Sequence, residues 1–264
     1  LGKDSWLVGD LYYGLIESFL SRVTVEAPAE HAALRGRSVL FLANHQTGIE
    51  SLLFSIVAGA LPETPTLVLA KSDHRTSWLG RLIESCFQYP GVDDPGVIAF
   101  FDRSDPASMP SIISQLRDET AAKSLLIHVE GTRSVVAGDP VTKMSGIFID
   151  LALSANLPIV PVRFTRGLPT EPLEERLEFP VGYGKQQIAF GAPLLPETLR
   201  AATYKARTDR VTQALNGFAG DHPTVGNPTL AHAVAARRAE GSSCPLYTSP
   251  SPRDRQKSCM PSSA

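Results

Sequence analysis

The chain has 264 residues, of which 43% are hydrophobic and 20% charged, and its formal net charge at pH 7 is −2. This composition excludes a collagen-like chain, a disulfide-rich miniprotein and a chain disordered throughout, and without a basic excess we expect no nucleic-acid partner. No apolar run reaches the length of about 18 residues that predicts a membrane-spanning helix. The cysteines show neither pairing nor metal-ligand spacing, so we expect a reducing, cytosolic compartment and no metal.

The first predicted element is an amphipathic helix near the N-terminus. Apolar residues recur in pairs every four positions from Leu7 to Leu20, which places them on one face of a helix. Such a face packs on its own domain, on a neighbouring module of a longer polypeptide or on a membrane surface. Its polar side is not enriched in Lys and Arg, so a membrane contact here would be hydrophobic rather than electrostatic.

Five short apolar runs alternate with helical stretches in the middle of the chain. Continuous apolar runs are typical of strands that are covered on both faces, so the alternation predicts an α/β fold with a mostly parallel sheet flanked by helices. The predicted strands are Val39–Ala43, Thr66–Ala70, Val97–Phe101, Ser124–Val129 and Ile159–Phe164. The predicted helices are Glu50–Ala60, Ser77–Phe87, Ala107–Ala122 and Ser145–Ala155.

Weaker patterns complete the expected organisation. Leu177–Pro180 and Gln187–Phe190 predict a hairpin or edge strands, and Pro196–Ala219 predicts one or two closing helices. The Ser- and Pro-rich C-terminal segment resembles translated sequencing-adapter read-through. The alternative interpretation is a disordered tail. The predicted units are an N-terminal amphipathic segment, one α/β domain, a loose linker and that tail, at residues 1–36, 37–219, 220–243 and 244–264.

Several familiar catalytic motifs are missing from the sequence. It contains no GxSxG nucleophile elbow, no P-loop and no Cys/His cluster, which disfavours a serine hydrolase of that type, a P-loop nucleotide enzyme and a zinc enzyme. The Gly182-Tyr183-Gly184 run lacks the third glycine of a dinucleotide fingerprint, so we interpret it as a turn.

One candidate site begins directly after the first apolar strand, at Asn44-His45-Gln46-Thr47-Gly48-Ile49-Glu50. On an ideal helix a spacing of five residues separates His45 and Glu50 by about 140°, so they meet only if His45 lies in a turn that Gly48 tightens. A carboxylate beside the imidazole would hold its tautomer and make it a general base. The alternative is a buried histidine that caps the next helix.

Other polar segments also follow predicted strands. Glu130-Gly131-Thr132-Arg133-Ser134 combines a glycine with an arginine, a layout suited to an anion, although it is equally typical of a turn with a surface Arg. Arg103 is a second candidate phosphate ligand or one half of a surface pair with Asp102. Leu157–Val162 carries two prolines, which indicate an irregular strand beside a pocket or at a sheet edge.

Together and in order, these segments resemble the four sequence blocks of the glycerolipid acyltransferase family, the relatives of lysophosphatidate and glycerol-3-phosphate acyltransferases. The resemblance covers roughly residues 39 to 195 and rests on NHQTGIE, FFDR, EGTRS and LPIVPV, with LVLAK, which ends at Lys71, between the first two. Glu50 stands where the family usually has Asp, Val129 replaces a common Pro, and His128 lies where an aromatic residue is common.

The resemblance implies transfer of a fatty acyl group from a thioester to a hydroxyl of a glycerol phosphate or lysophospholipid. In that chemistry His45 is the general base and Glu50 orients it. No cofactor is implied beyond acyl-CoA or acyl carrier protein as co-substrate. The acceptor would be bound by Lys71, Arg103, Glu130, Gly131, Thr132 and Arg133.

The resemblance leaves two alternatives, an acyltransferase module with a non-glycerol acceptor and a non-catalytic lipid-binding module. A hydrogen bond between His45 and Glu50 in a common cleft would favour an enzyme. Because the substrates are lipids, we expect a protein held peripherally on the cytoplasmic face of a membrane, with the N-terminal helix as its contact.

Overall fold

The computed structural model describes residues 14–58, 61–62, 64–78, 80–81, 98–102, 105, 108–117 and 122–218. Its centre is one seven-stranded sheet with the strand order β1-β7-β6-β2-β5-β3-β4. The strands are β1 (Leu20–Val25), β2 (Leu40–Ala43), β3 (Thr66–Lys71), β4 (Ile98–Phe101), β5 (Ser124–His128), β6 (Ile159–Thr165) and β7 (Gln186–Phe190).

Helices occupy most of the connections between these strands. They are α1 (Pro28–Ala32), α2 (Glu50–Ala58), α3 (Ser108–Leu116), α4 (Ile147–Ser154), α5 (Pro196–Arg200) and α6 (Tyr204–Asn216), with a 3₁₀ helix at Ser72–Thr76. Residues 14–19 are helical as well. Within the described residues, no helix combines the length and the apolar character needed to cross a membrane.

Five strands of the sheet run in one direction. The pairs β6·β2, β2·β5, β5·β3 and β3·β4 are parallel, whereas β7 is antiparallel to β6 and parallel to β1. The predicted mostly parallel α/β fold is therefore confirmed. Each of the five predicted apolar strands is present, with its ends displaced by one residue at most.

The core lies on both faces of the sheet, as continuous apolar strands require. Successive side chains of a strand point to opposite faces, so β2 divides its residues between two clusters. Phe41 packs edge-on against Phe54 and Phe190 in one cluster, and Leu40 and Leu42 pack in the other. The burial of β2 on both faces makes the end of this strand a rigid support for the residues that follow it.

Two edge regions differ from the sequence prediction. Leu20, assigned to the N-terminal helix, is 3% exposed and begins strand β1, because pairing with β7 satisfies its backbone and buries it in the sheet. The preceding part of that stripe, residues 14–19, is helical as predicted, and the part before residue 14 lies outside the described residues. Leu177–Pro180 forms no strand, because two of its carbonyls accept hydrogen bonds from Gly48 and Ile49, in the turn before α2.

The other weak predictions agree better with the structure. Gln187–Phe190 lies in β7, which starts one residue earlier, and the closing helical region is divided into α5 and α6. Gly182 and Gly184 have φ angles of 86° and 81°, a left-handed backbone typical of turns. The predicted linker and tail lie outside the described residues.

Candidate active site

The polar segments collect at the carboxyl ends of the parallel strands. Strands β2 and β5 are adjacent, with Ala43 paired to His128, so the segments that follow them start side by side. Beyond them lies a cavity of about 370 Å³, whose lining includes His45, Lys71 and Arg133. The crossover topology thus brings together residues that are far apart in the sequence.

His45 and Glu50 form the centre of this site. His45 lies in the turn after β2 and Glu50 is the first residue of α2, and their Nδ1 and Oε2 atoms are 3.0 Å apart. The Gln46 backbone N–H also donates to Oε2 at 2.8 Å, and the Gln186 side-chain amide donates to Oε1 at 2.5 Å. The fully buried carboxyl therefore receives three N–H donors.

The turn that carries His45 is held from both sides. The Asn44 side chain donates to the Phe164 carbonyl at 3.0 Å and accepts from the Phe164 N–H at 2.7 Å, which ties the end of β2 to β6. Glu130 accepts the backbone N–H of His45 at 3.0 Å, and the Ser134 N–H donates to the His45 carbonyl at 2.7 Å. The position of the imidazole is thus set by its backbone and by Glu50.

Burial controls the protonation of the pair. It lowers the pKa of His45 to about 3, an effect that the neighbouring Arg133 charge reinforces, so the imidazole is neutral near pH 7. Since Nδ1–H donates to Glu50, the lone pair lies on Nε2. Burial raises the pKa of Glu50 to about 7, while the hydrogen bonds that the carboxylate accepts from Gln46 and Gln186 oppose that rise.

A second histidine supports the first. His128 stacks on His45 with ring centroids 3.7 Å apart and an interplanar angle of 19°. Its Nδ1–H donates to the Asn44 carbonyl at 2.8 Å, and its Nε2 lies 3.3 Å from the Ser51 hydroxyl, the donor to it in this tautomer. Burial lowers the pKa of His128 to about 3, so His45 packs against a neutral ring.

The predicted acceptor-binding residues are distributed unevenly around the cavity. Lys71, Gly131, Thr132 and Arg133 line it, and Gly131 has the left-handed φ of 66° that favours glycine. Glu130 instead directs a carboxylate oxygen to the backbone of His45. Arg103 lies outside the described residues.

Arg133 already has partners. Its Nη1 donates to the Leu177 carbonyl at 2.8 Å and forms an ion pair with Glu178 Oε1 at 2.7 Å. The other Glu178 oxygen accepts the indole N–H of Trp78 at 3.0 Å. This carboxylate comes from the irregular segment between β6 and β7, which carries no recognisable motif.

His45, Glu50 and His128 are the one described group with enough potential ligand atoms, all within 4.8 Å of one another, to hold a metal ion. The donor set suits Zn²⁺ in kind. However, the stacked rings direct their in-plane lone pairs alongside one another rather than to one point, and both Nδ1 atoms are engaged in hydrogen bonds. The arrangement fits a hydrogen-bonded base better than a metal centre.

Sequence reasoning missed three contributors to this site, namely His128, Gln186 and Glu178. His128 ends an apolar strand, and its available signals were its distance of two residues from Glu130 and its position where the family commonly has an aromatic residue. Gln186 and Glu178 lie in segments without a motif and reach the site through the fold alone.

Comparison with known proteins finds a matching family model and a similar solved structure. The family model described as Acyltransferase matches residues 22–165. The fold is similar to the crystal structure of the 1-acyl-sn-glycerophosphate (LPA) acyltransferase PlsC from Thermotoga maritima, with a TM-score of 0.53 and 18% sequence identity, over 83% of this chain and 78% of that one. No curated protein matches the chain significantly.

Proposed function

Because the chain belongs to the acyltransferase family, whose model covers more than half of it, we propose that it transfers a fatty acyl group from an acyl thioester to a hydroxyl of a glycerol phosphate or lysophospholipid. The observation that carries this proposal is the His45–Glu50 hydrogen bond of 3.0 Å at a cavity lined by cationic side chains. A non-catalytic lipid-binding module would not need a neutral imidazole held by a buried carboxyl.

The proposed reaction uses His45 Nε2 as general base. Nε2 takes the proton of the acceptor hydroxyl as that oxygen attacks the thioester carbonyl carbon, which forms a carbon–oxygen bond and a tetrahedral oxyanion. Collapse of this intermediate breaks the carbon–sulfur bond, and the imidazolium returns the proton to the leaving thiolate. Glu50 stabilises the imidazolium that forms in between.

Positioning supplies much of the remaining rate enhancement, since both substrates are held in line with His45. Lys71, Arg133 and Arg176 line the cavity and favour a phosphorylated acceptor. Arg103, in the block that follows β4, is proposed as a further phosphate ligand. The proposal requires no cofactor other than acyl-CoA or acyl carrier protein as co-substrate.

We also propose that the protein is held peripherally at the cytoplasmic face of a membrane, where it would reach a lysophospholipid acceptor. Trp78, 37% exposed, lines the same cavity and packs on Phe179 at a centroid distance of 4.9 Å. An indole at such a rim is suited to an interface between lipid and water.

The direct test of the proposal is thioester consumption by the purified full chain. Long-chain acyl-CoA and acylated acyl carrier protein would each be offered with lysophosphatidate, glycerol 3-phosphate or a neutral monoacylglycerol. Acceptor-dependent release of the thiol supports the proposal and identifies the acceptor class. Folded protein that releases no thiol with any of the six combinations would contradict it.

We expect Arg133→Ala to raise KM for lysophosphatidate by about tenfold or more and to change KM for monoacylglycerol little. A charge-assisted hydrogen bond to phosphate contributes about 1.5–3 kcal/mol, and a neutral acceptor makes none. Steady-state kinetics on both acceptors measure the difference. The matched control is Arg200→Ala, whose guanidinium donates to the Leu153 carbonyl in the last turn of α4 and to the Asn156 side chain beyond its end. An equal loss on both acceptors would count against phosphate recognition.

The pH dependence of acyl transfer should reflect the ionisation of the Glu50 carboxyl. Its pKa is raised by burial to about 7, so below that pH the carboxyl is protonated and no longer stabilises the imidazolium. We therefore expect acceptor-dependent kcat/KM to increase as pH rises through about 7, whereas His45, with its pKa lowered to about 3, stays neutral over the same range. Stopped assays between pH 5.5 and 9 measure the profile, and a flat one contradicts the assignment.

A further inference from the structure

We propose that Glu178 is an internal competitor of the acceptor phosphate: its carboxylate pairs with Arg133 and must leave before a phosphorylated acceptor binds. Glu178 would thus be a specificity-determining residue that weakens the binding of every ligand dependent on Arg133 and leaves neutral acceptors unaffected. The inference rests on the proposed function for the identity of the ligand.

The contacts of Glu178 are those that a phosphate would make. One carboxylate oxygen lies 2.7 Å from Arg133 Nη1, and the other accepts the Trp78 indole N–H at 3.0 Å. Guanidinium and indole N–H groups donate to phosphate oxygens as well as to carboxylate oxygens. The carboxylate therefore uses the donors that an anionic headgroup in this cavity would use.

The backbone around Glu178 holds this competitor beside the general base. The carbonyls of Leu177 and Glu178 accept the N–H groups of Gly48 and Ile49 at 3.1 and 2.9 Å. A Cβ at Gly48 would lie 2.1 Å from Glu178 Oε2 and 2.9 Å from Arg133 Nη1, so the ion pair rests directly on the bare backbone of the His45 turn. This close packing places the pair where an acceptor must approach His45.

The charges of the cavity agree with this role. Among the described residues that line it, Glu178 is the one carboxylate, whereas Lys71, Arg133 and Arg176 are cationic. The cavity thus contains an anion of its own, the Glu178 carboxylate. Both members of the pair also act on the base, since Arg133 lowers the pKa of His45 and Glu178 raises it.

Displacement of Glu178 requires little reorganisation. Its side chain is 43% exposed, so the carboxylate can rotate into solvent while the segment stays bonded to the turn before α2. Partly exposed ion pairs contribute little to stability, so the expected weakening is about fivefold in affinity. When the product leaves, the same carboxylate returns to Arg133, which favours release.

This mechanism makes a quantitative demand. The fraction of the protein in which Arg133 is available does not depend on the ligand. Removing the competitor must therefore raise the affinity for every phosphorylated ligand by one common factor. We expect Glu178→Gln to lower Kd for glycerol 3-phosphate and for lysophosphatidate by the same factor, about fivefold. The inhibition constant of the phosphatidate product should fall by that factor too, and binding of monoacylglycerol should not change.

The test uses the full chain with Trp6→Phe, which leaves Trp78 as the one remaining tryptophan. Glycerol 3-phosphate and lysophosphatidate are titrated without thioester, with Trp78 fluorescence and calorimetry as independent readouts. In the parent protein we expect the fluorescence to change as Glu178 leaves the indole. Glu175→Gln, which removes an exposed carboxylate three residues away, is the matched control and should bind like the parent.

The outcomes separate this inference from the proposed function. Tighter phosphate binding in Glu178→Gln alone, without thiol release in any variant, supports the competitor and contradicts acyl transfer. Four outcomes would overturn the competitor role, whether or not the protein is an acyltransferase. Glu178→Gln could bind the phosphorylated ligands no more tightly than the parent, or its affinity for the two ligands could rise by different factors. Glu175→Gln could show the same rise in affinity, or none of the variants could bind either ligand.

Discussion

Replacing His45 by alanine is expected to lower acceptor-dependent kcat/KM by about 10³-fold or more while the fold persists. Proton transfer by a positioned base contributes about 10²–10⁴-fold, and the site also loses the imidazolium that returns the proton to the thiolate. No other described side chain combines a hydrogen bond to Glu50 through one ring nitrogen with a second nitrogen at the cavity. Release of free thiol from acyl-CoA, with and without lysophosphatidate, measures the loss.

The control for this variant is His74→Ala. His74 also lines the cavity but is exposed, and it lies in the 3₁₀ helix rather than in the turn that holds the base. We expect less than a fivefold effect there, and near-parental thermal unfolding of both proteins. Full activity in His45→Ala, or an equal loss in both variants, would show that His45 is not the base.

Glu50→Gln is expected to have the second largest effect, a fall in kcat of about 10²–10³-fold with little change in KM. The substitution keeps the volume of the side chain but removes the charge that stabilises the imidazolium. An amide NH₂ that faces His45 Nδ1 also donates to it, which leaves the proton on Nε2 and removes the lone pair that accepts from the hydroxyl.

Glu50→Asp separates charge from geometry. Aspartate, the usual residue of the family at this position, keeps the charge but is one methylene shorter, so it cannot reach all three donors of the present arrangement. We expect activity between those of the parent and Glu50→Gln. Full kcat in Glu50→Gln would contradict the role of Glu50 in stabilising the imidazolium. An Asp variant that is no more active than the Gln variant at equal thermal stability would contradict it as well.

The parts of the fold that could be predicted from the sequence are those that depend on neighbouring residues in the chain. β2 and β5 are uninterrupted apolar runs because both of their faces are covered, so five strands and their order along the chain could be predicted. The polar segments that begin at Asn44 and Glu130 follow those runs directly, and parallel strands place such segments at one edge. The turn needed to join His45 to Glu50 was likewise predictable from a spacing that no helix satisfies.

Edge elements were less predictable for a physical reason. The spacing of Leu20 assigns it to the apolar face of a helix, yet it begins β1. The reason is its pairing in the sheet with Gln186 of β7, which lies 166 positions further along the chain. Leu177–Pro180 has the composition of a strand, but its carbonyls bond the turn that carries His45. Local propensity does not record such long-range partners.

Local sequence determined the α/β class, the turn that carries His45 and the side chain that could pair with it, because periodicity and spacing act within a few residues. Tertiary structure alone decided that His128 stacks on His45, that Gln186 bonds Glu50 and that Glu178 occupies Arg133. Each of these contacts joins segments brought together by strand crossovers. Their charge states follow as well, since burial in the assembled site shifts the pKa values of His45 and Glu50 in opposite directions.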